Sequence, residues 1–442
     1  MLIWIYMNER FKKFNHPRTE EIVNSGFEIS GPEDTLRNQE MFAEPVLDKI
    51  EEITDGVIFE QKNIVLDDIG SYTNSYRVVC RENAPNIIYD IETTEKPVHL
   101  KRWLVNDSDT ICAINGGFFL LVDEKPETIP VEMSLGTIIR NGILRGVQSH
   151  DRPVLWMNEE GYLNVNEINS HGQVNIGNKT HSWTGINSNL IHENEADTYL
   201  FSSDCCIVEH DYSEQTGTIR TINREKSITP IHGDKVDLVC KINGDYFIVA
   251  EINEGGGTFV IDGDFILQGH KSEFNHVKIG DQVDINYSDL DIKTINNAIT
   301  IGPSIFDFEN EKEHPINNDK SLGEKPPFVE ERMARSVIYK TNAGELIFEL
   351  FDGAPKTELF KGISPKEVYN FLTEENADIE WGYFLDPGQS ARLAVRHSDG
   401  SVVGYGNQHY IRWPKSSDQP FIWSGEHGRS IPSAVTIKCK ST

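Results

Sequence analysis

Short runs of apolar and β-branched residues alternate with polar turn residues along most of this chain, a pattern that predicts strands more often than helices. Such runs fall at Val57 to Phe59, Tyr76 to Cys80, Thr110 to Ile114, Thr137 to Ile139, Tyr199 to Phe201, Val236 to Ile242, Tyr246 to Ile252 and Val283 to Ile285, each bounded by Gly, Asn, Asp or Pro. Helical spacing is rarer. From Thr35 to Ile53 the apolar residues Met41, Phe42, Val46, Leu47 and Ile50 recur at near-helical intervals, which predicts a helix with one stripe docked on something larger. A second helix is predicted from Ser364-Pro365-Lys366-Glu367 to about Glu374. Its serine can cap free backbone N–H groups, its proline fits the first helical position, and its glutamate completes a capping box. Ser336 to Lys340 and Glu345 to Phe351 flank Thr341-Asn342-Ala343-Gly344 as a hairpin, and Asp378 to Leu385 reads as a strand.

These elements predict an α+β fold, β-rich, with mixed sheets and a few helices. Residues 1–54 are expected to form an N-terminal extension carrying the docking helix, and residues 55–442 the main domain. At 442 residues the chain exceeds the roughly 250 to 300 at which single cores stop growing, so a large domain with extensions and a pair of domains both fit. Residues 309–331 are rich in Glu, Lys, Asn and Pro, and are expected to form an exposed loop.

Charge narrows the function classes. Lys and Arg number 41 against 70 Asp and Glu, a net charge of −29 that repels phosphate backbones and anionic membranes at long range. The expected partner is a small molecule, with neither nucleic acid nor membrane, while a few arginines inside a pocket can still bind one or two phosphates through short-range hydrogen bonds. The apolar opening Met1 to Tyr6 gives way to Asn8, Glu9 and Arg10, too short for a signal core or membrane span, so a cytoplasmic protein is expected. Cys80, Cys112, Cys205, Cys206, Cys240 and Cys439 show no regular spacing, which favours buried free thiols over zinc or a disulfide framework.

Candidate chemistry lies at predicted strand ends. Asn115-Gly116-Gly117-Phe118-Phe119 can turn tightly and present N–H groups to an oxygen-rich ligand, or can be a tight turn and nothing more. Asp386-Pro387-Gly388-Gln389-Ser390, followed by Arg392, sets an acid, a hydroxyl and a guanidinium on a stiff corner, and equally describes a solvated turn. In a regular hairpin Arg335 and Asp352 emerge near the same end of adjacent strands, facing one site or forming a surface ion pair. Asp262-Gly263, Gln268-Gly269-His270 and Gly255-Gly256-Gly257 are lesser candidates.

In order and spacing these segments resemble the phosphodiester glycosidase family. The matching stretches are Ala113 to Phe119, Gly136 through Asn141-Gly142, Gly185-Ile186-Asn187, Ile261-Asp262-Gly263 with Gly269-His270, and Gly280-Asp281. They continue through Ala298 to Pro303, Arg332 to Ser336, Asp352-Gly353, the 364–374 helix, Asp386 to Ser390 and Arg429 to Ala434, so the resemblance runs from about residue 60 to the C-terminal end. The joint order carries it, since no single motif is specific. Two departures stand out. Pro387 and Gln389 occupy positions where the family has glycines, which implies a narrower pocket and a different substrate, and Arg335-Ser336-Val337 replaces Arg-Thr-Ala.

The resemblance implies hydrolysis of a sugar 1-phosphodiester or related glycosyl phosphate. A phosphate leaving group of low pKa needs charge stabilisation more than a proton, and a carboxylate can stabilise the anomeric centre, attack it or activate water. Asp386 takes that role, Asp352 is the second carboxylate, and Arg335 with the Asn115-Gly116-Gly117 turn holds the phosphate. Phe118, His270, Gly388, Gln389, Ser390 and Arg392 complete the expected substrate contacts. Retention and inversion stay equally open. No cofactor is required by these residues, and a divalent cation shared by Asp352 and Asp386 stays open. The rival class is a non-catalytic module that binds phosphorylated glycans or nucleotide-like ligands.

Overall fold

The computed structural model describes residues 29–30, 45–122, 131–134, 137–145, 153–158, 160–167, 171–187, 198–202, 210–213, 218–221, 228–244, 246–261, 264–287, 295–309, 331–353, 359–375, 378–406, 410–412, 421–423 and 431–440. It is a strand-rich α+β fold built almost entirely from antiparallel pairs. Among the described residues the parallel exception joins Gly185–Ile186 to Tyr199–Ser202. The chain divides into two compact units: residues 1–118 with 301–442, and residues 119–300 between them.

Two larger sheets and a small three-stranded one fall within the first unit. One is six-stranded, formed by β1 (Lys49–Thr54), β2 (Val57–Val65), β3 (Tyr72–Cys80), β6 (Arg335–Thr341), β7 (Leu346–Phe351) and β8 (Ile379–Phe384), in the order β1-β2-β3-β7-β6-β8. The other is five-stranded, formed by β4 (Ile87–Val98), β5 (Thr110–Asn115), β9 (Leu393–Arg396), β10 (Val402–Tyr405) and β11 (Ile431–Cys439), in the order β10-β9-β5-β11-β4. The sheets face each other: the Tyr405 ring of β10 lies 5.1 Å from Phe59 and 4.6 Å from Tyr76, centroid to centroid. Helix α2 (Pro365–Glu374) covers the opposite face of the six-stranded sheet, packing Val368 and Leu372 onto Val337, Tyr339, Ile347 and Phe351. Each such apolar side chain contributes about 1.5–3 kcal/mol on burial. Helix α1 (Lys101–Asn106) is tied to the five-stranded sheet by Arg396, whose guanidinium donates to the carbonyls of Leu104, Asp107 and Thr110.

In the second unit an eight-stranded sheet packs on a five-stranded one. Val174, Trp183, Leu238, Val249 and Leu267 from the first meet Ile139, Val154 and Ala298 from the second in one buried cluster.

The helix from Ser364 forms as its sequence predicts, with both halves of the capping box in place. The helix expected over Thr35 to Ile53 does not form where it can be seen: Lys49–Thr54 is strand β1, and Leu47 and Ile50 are 85% and 76% exposed. The stronger local signal is Asp55-Gly56, a two-residue hairpin turn in which Gly56 has φ +77° and Thr54 pairs with Val57. Residues 31–44 of that stretch and 310–330 of the expected loop lie outside the described residues, as do Cys205 and Cys206. Cys80, Cys112, Cys240 and Cys439 are free thiols, the first three buried, and burial pushes their acidity down. No helix among the described residues is long and apolar enough to cross a membrane.

Candidate active site

The six-stranded and five-stranded sheets of the first unit end together where β5, β7 and β8 stop and β6 begins. Asn115, the last residue of β5, is 1% exposed and joins the segments that meet there. Its Oδ1 accepts the Ser336 hydroxyl at 2.6 Å and the Arg392 N–H at 3.0 Å, and its Nδ2 donates to the carbonyls of Asp386 at 2.9 Å and Gly116 at 3.2 Å. Both amide protons and both oxygen lone pairs are thereby used, so Asn115 positions its neighbours and has no capacity left for a phosphate.

Gly116 is similarly committed. Its N–H donates to the Ser433 carbonyl at 2.8 Å and its own carbonyl accepts the Asp386 N–H at 3.1 Å. A Cβ here would sit 2.2 Å from Ser433 Oγ, so glycine is needed for close approach to β11 and not to expose an N–H to ligand. Gly117 and Phe118 follow as buried residues, with the Phe118 ring packed near Gly302.

Asp352 follows β7 directly and is 1% exposed; its N–H donates to the Asn74 carbonyl at 2.8 Å and its Oδ1 accepts the Gly353 N–H at 2.7 Å. The hairpin register places Arg335 opposite Phe351, one residue from Asp352. The cation that feels the Asp352 carboxylate, however, is Arg392. Burial lowers the Arg392 guanidinium to about 10 and the Asp352 charge opposes that shift, whereas the charges acting on Arg335 are Glu331 and Glu367. Gly406, at φ +124°, makes room for Arg392: a Cβ there would lie 2.4 Å from its Nη1. Tyr76 also faces Asp352, and burial first, then that carboxylate, drives its hydroxyl well above the usual tyrosine range.

Arg335 is held differently. Its Nε donates to the Ile363 carbonyl at 2.8 Å and its Nη2 to the Glu331 carbonyl at 2.7 Å. The guanidinium carbon sits 5.9 Å above the Phe384 ring, and burial lowers its pKa to about 9. It stays charged at neutral pH, a buried cation solvated by backbone oxygens.

The Asp386 turn is clamped at both ends. Asp386 bonds through its backbone to Asn115 and Gly116, Leu385 N–H donates to the Ser336 carbonyl, and Gly388 N–H donates to the Ala334 carbonyl at 2.8 Å. Pro387 has φ −85°, and Gly388 opens the 3-10 turn Gly388–Ser390 with φ +69°, a left-handed conformation that favours glycine. Ser390 is fully buried, and its Oγ meets no hydrogen-bond partner among the described residues. A buried hydroxyl of that kind costs about 1–3 kcal/mol unless a ligand or water satisfies it. The Gln389 side chain lies outside the described residues.

Thus Asn115, Arg335, Asp352, Asp386, Ser390 and Arg392 share one unit and one sheet end. His270 belongs to the other unit, where its Nδ1 accepts the Ser272 N–H at 3.3 Å and caps the short helix Lys271–Phe274. Ser336, Tyr76, Ser433 and Gly406 were missed from sequence. Only Ser336 carried a signal, as the hydroxyl beside Arg335. Among the described residues no group of three or more His, Cys, Asp or Glu side chains is placed to hold a metal ion.

No protein-family model and no curated protein matches this sequence. Solved structures do share its fold. A hypothetical protein from Synechocystis is similar at a TM-score of 0.57 and 14% identity, over 89% of this chain and 64% of that one, so this chain spans less than two thirds of that neighbour. A presumed exported protein from Burkholderia pseudomallei K96243 is similar at 0.53 and 13%, over 84% of this chain and 74% of that one. The catalytic domain of zebrafish N-acetylglucosamine-1-phosphodiester alpha-N-acetylglucosaminidase, auto-inhibited by its pro-peptide, aligns at 0.39 and 12%, over 89% and 88% of the two chains. The first two likenesses, at 14% and 13% identity, concern the fold alone.

Proposed function

We propose that this protein is a hydrolase that cleaves the glycosidic bond of a sugar 1-phosphodiester or related glycosyl phosphate. The observation that carries the reading is that two aspartates, two buried guanidinium groups and a buried serine hydroxyl lie at one sheet end, where Asn115 ties the backbones of Asp386 and Arg392 together. The order of motifs resembling phosphodiester glycosidases supports it independently.

In this reading Asp386, half-buried on the turn, meets the anomeric carbon as nucleophile, base or charge stabiliser. Asp352 is the second carboxylate, and its charge favours the cationic form of Arg392. Arg392 and the Ser390 hydroxyl face the departing phosphate, which needs charge stabilisation and little protonation. Arg335 adds positive potential from behind, because its donors at Nε and Nη2 are spent on backbone carbonyls. Water attacks the sugar carbon, the carbon–oxygen bond to phosphate breaks with its electron pair leaving on the phosphate, and the water proton passes to a carboxylate.

The test is release of reducing sugar by purified protein from a panel of glycosyl phosphodiesters and nucleotide sugars. Release that disappears in Asp386→Asn supports hydrolysis. Saturable binding without release from any member of the panel supports a non-catalytic binding module and overturns the proposal.

A further inference from the structure

The second unit contains a cavity of 440 Å³, lined by Lys241, Glu251, Asn253, Thr258, Phe259 and Asp264 among others. That volume falls within the roughly 300–1,000 Å³ usual for small-ligand pockets. Its floor is one face of the antiparallel strands Ile231–Asn243 and Tyr246–Gly256, where Val239 pairs with Glu251 and Asp237 with Asn253.

The wall explains a motif that the first unit leaves unused. Gly255, Gly256 and Gly257 have φ of +87°, +74° and +75°, three successive residues in the left-handed region. Gly256 also passes so close to Pro230 that a Cβ would lie 2.0 Å from its carbonyl oxygen. The turn is then pinned by Thr229. The Thr229 N–H donates to the Thr258 carbonyl at 3.0 Å, its carbonyl accepts the Gly257 N–H at 3.2 Å, and its hydroxyl accepts the Thr258 N–H at 3.0 Å. Asn253 Nδ2 adds a bond to Thr258 Oγ1 at 3.2 Å. Thr258, Phe259 and the floor are thereby held in a fixed relation. Phe259 is left 49% exposed and Ile261 55% exposed, so both are accessible to a ligand in the cavity.

The polar groups define what fits. One cation, Lys241, stands 3.5 Å from Glu251 and is set against two carboxylates, so an anion is disfavoured. Burial, with Glu251 nearby, raises the Asp264 pKa against the pull of Lys241. Two carboxylates accept hydroxyl protons, Lys241 and Asn253 donate, and an exposed aromatic ring offers a flat apolar face. A neutral polyhydroxylated ring, with hydroxyls around its edge and C–H bonds across its face, matches all of these. We infer that this cavity, formed by residues of the second unit, is a saccharide-binding site selective for neutral sugar units. The inference does not rest on the proposed hydrolysis.

The test uses the full chain carrying Asp386→Asn and saturation-transfer NMR titrations with N-acetylglucosamine, mannose, glucose and diacetylchitobiose. Expected is saturable binding of at least one sugar, weakened about fivefold to tenfold when Phe259→Ala or Asp264→Asn is added, as for loss of one stacking or hydrogen-bonding contact. Both positions are partly exposed, and circular dichroism verifies that each variant is folded. No saturable signal from any of the four sugars, or the same affinity in both variants, overturns the inference. Tighter binding of mannose 6-phosphate than of mannose at the Phe259-dependent site overturns the neutral-ligand assignment. If hydrolysis fails in the sugar-release assay while these titrations succeed, the cavity stands and the active-site reading falls.

Discussion

The Ser336 hydroxyl donates to the Asn115 side-chain oxygen at 2.6 Å, joining the first residues of β6 to the last of β5 across 221 positions of sequence. That bond brings the six-stranded and five-stranded sheets to a common end, and the remaining three bonds of Asn115 set the backbones of Asp386, Gly116 and Arg392 around it.

Asn115→Ala should therefore destabilise the protein by about 2–4 kcal/mol, because buried partners are left unsatisfied on several segments at once. Urea denaturation measures this. A change under about 0.5 kcal/mol would remove Asn115 from its central place.

Asp386→Asn and Asp352→Asn should each lower turnover by about two or more orders of magnitude on a confirmed substrate. Their stabilities should diverge. Asp352→Asn removes the buried carboxylate whose charge favours cationic Arg392 and so lowers the unfolding midpoint, while Asp386→Asn, on a partly exposed turn, leaves it near wild type. Near-wild-type rates in both variants would sink the two-carboxylate mechanism.

The two arginines should separate by substrate. Arg335→Lys breaks the fork onto Ile363 and Glu331, and should lower the rates of a glycosyl phosphodiester and a phosphate-free aryl glycoside by the same factor, along with stability. Arg392→Lys should damage the phosphodiester reaction preferentially. Measuring kcat/KM for both substrates in both variants decides it, and the reverse pattern would return the phosphate to Arg335.

Glu349 sets a pH dependence. It is fully buried in β7, its Oε1 accepting the Ser75 hydroxyl at 2.6 Å and its Oε2 the Tyr339 hydroxyl at 2.9 Å. Burial raises its pKa, and Arg77, Ser75 and Tyr339 pull it back only in part. The unfolded chain releases this proton near pH 4.3, while the folded protein keeps it to higher pH and so binds more protons between the two values. The stability contributed is complete below the unfolded value and lost as pH rises through the folded one. Glu349→Gln should flatten that decline, seen as denaturation midpoints from about pH 4 to pH 7. Parallel profiles in the two proteins would show that Glu349 does not titrate differently on folding.

Local chemistry was readable from the residues alone. Ser364, Pro365 and Glu367 hold a helix start within four positions, and Thr341 to Gly344 closes a hairpin whose register alone places Arg335 beside Asp352. The runs from Val57 and Tyr76 became strands with alternate residues buried, and those from Thr110 and Val236 became strands buried on both faces. The spacing of Val46, Leu47 and Ile50 misled because an edge strand needs only a neighbour's free backbone, and its exposed side chains leave no period to read.

What needed three dimensions was every relation between distant segments. That residues 119–300 separate β5 from its neighbours as a unit of their own, and carry His270 with them, follows from long-range pairing that no local window contains. The Asp352 charge acts on Arg392, while those acting on the sequence-near Arg335 are Glu331 and Glu367, and Gly406 leaves the space that Arg392 occupies. Asn115 looked like a ligand contact because an amide after a strand suits either role. It became the hub of the site because three remote segments and the neighbouring Gly116 carbonyl use its capacity before a ligand can.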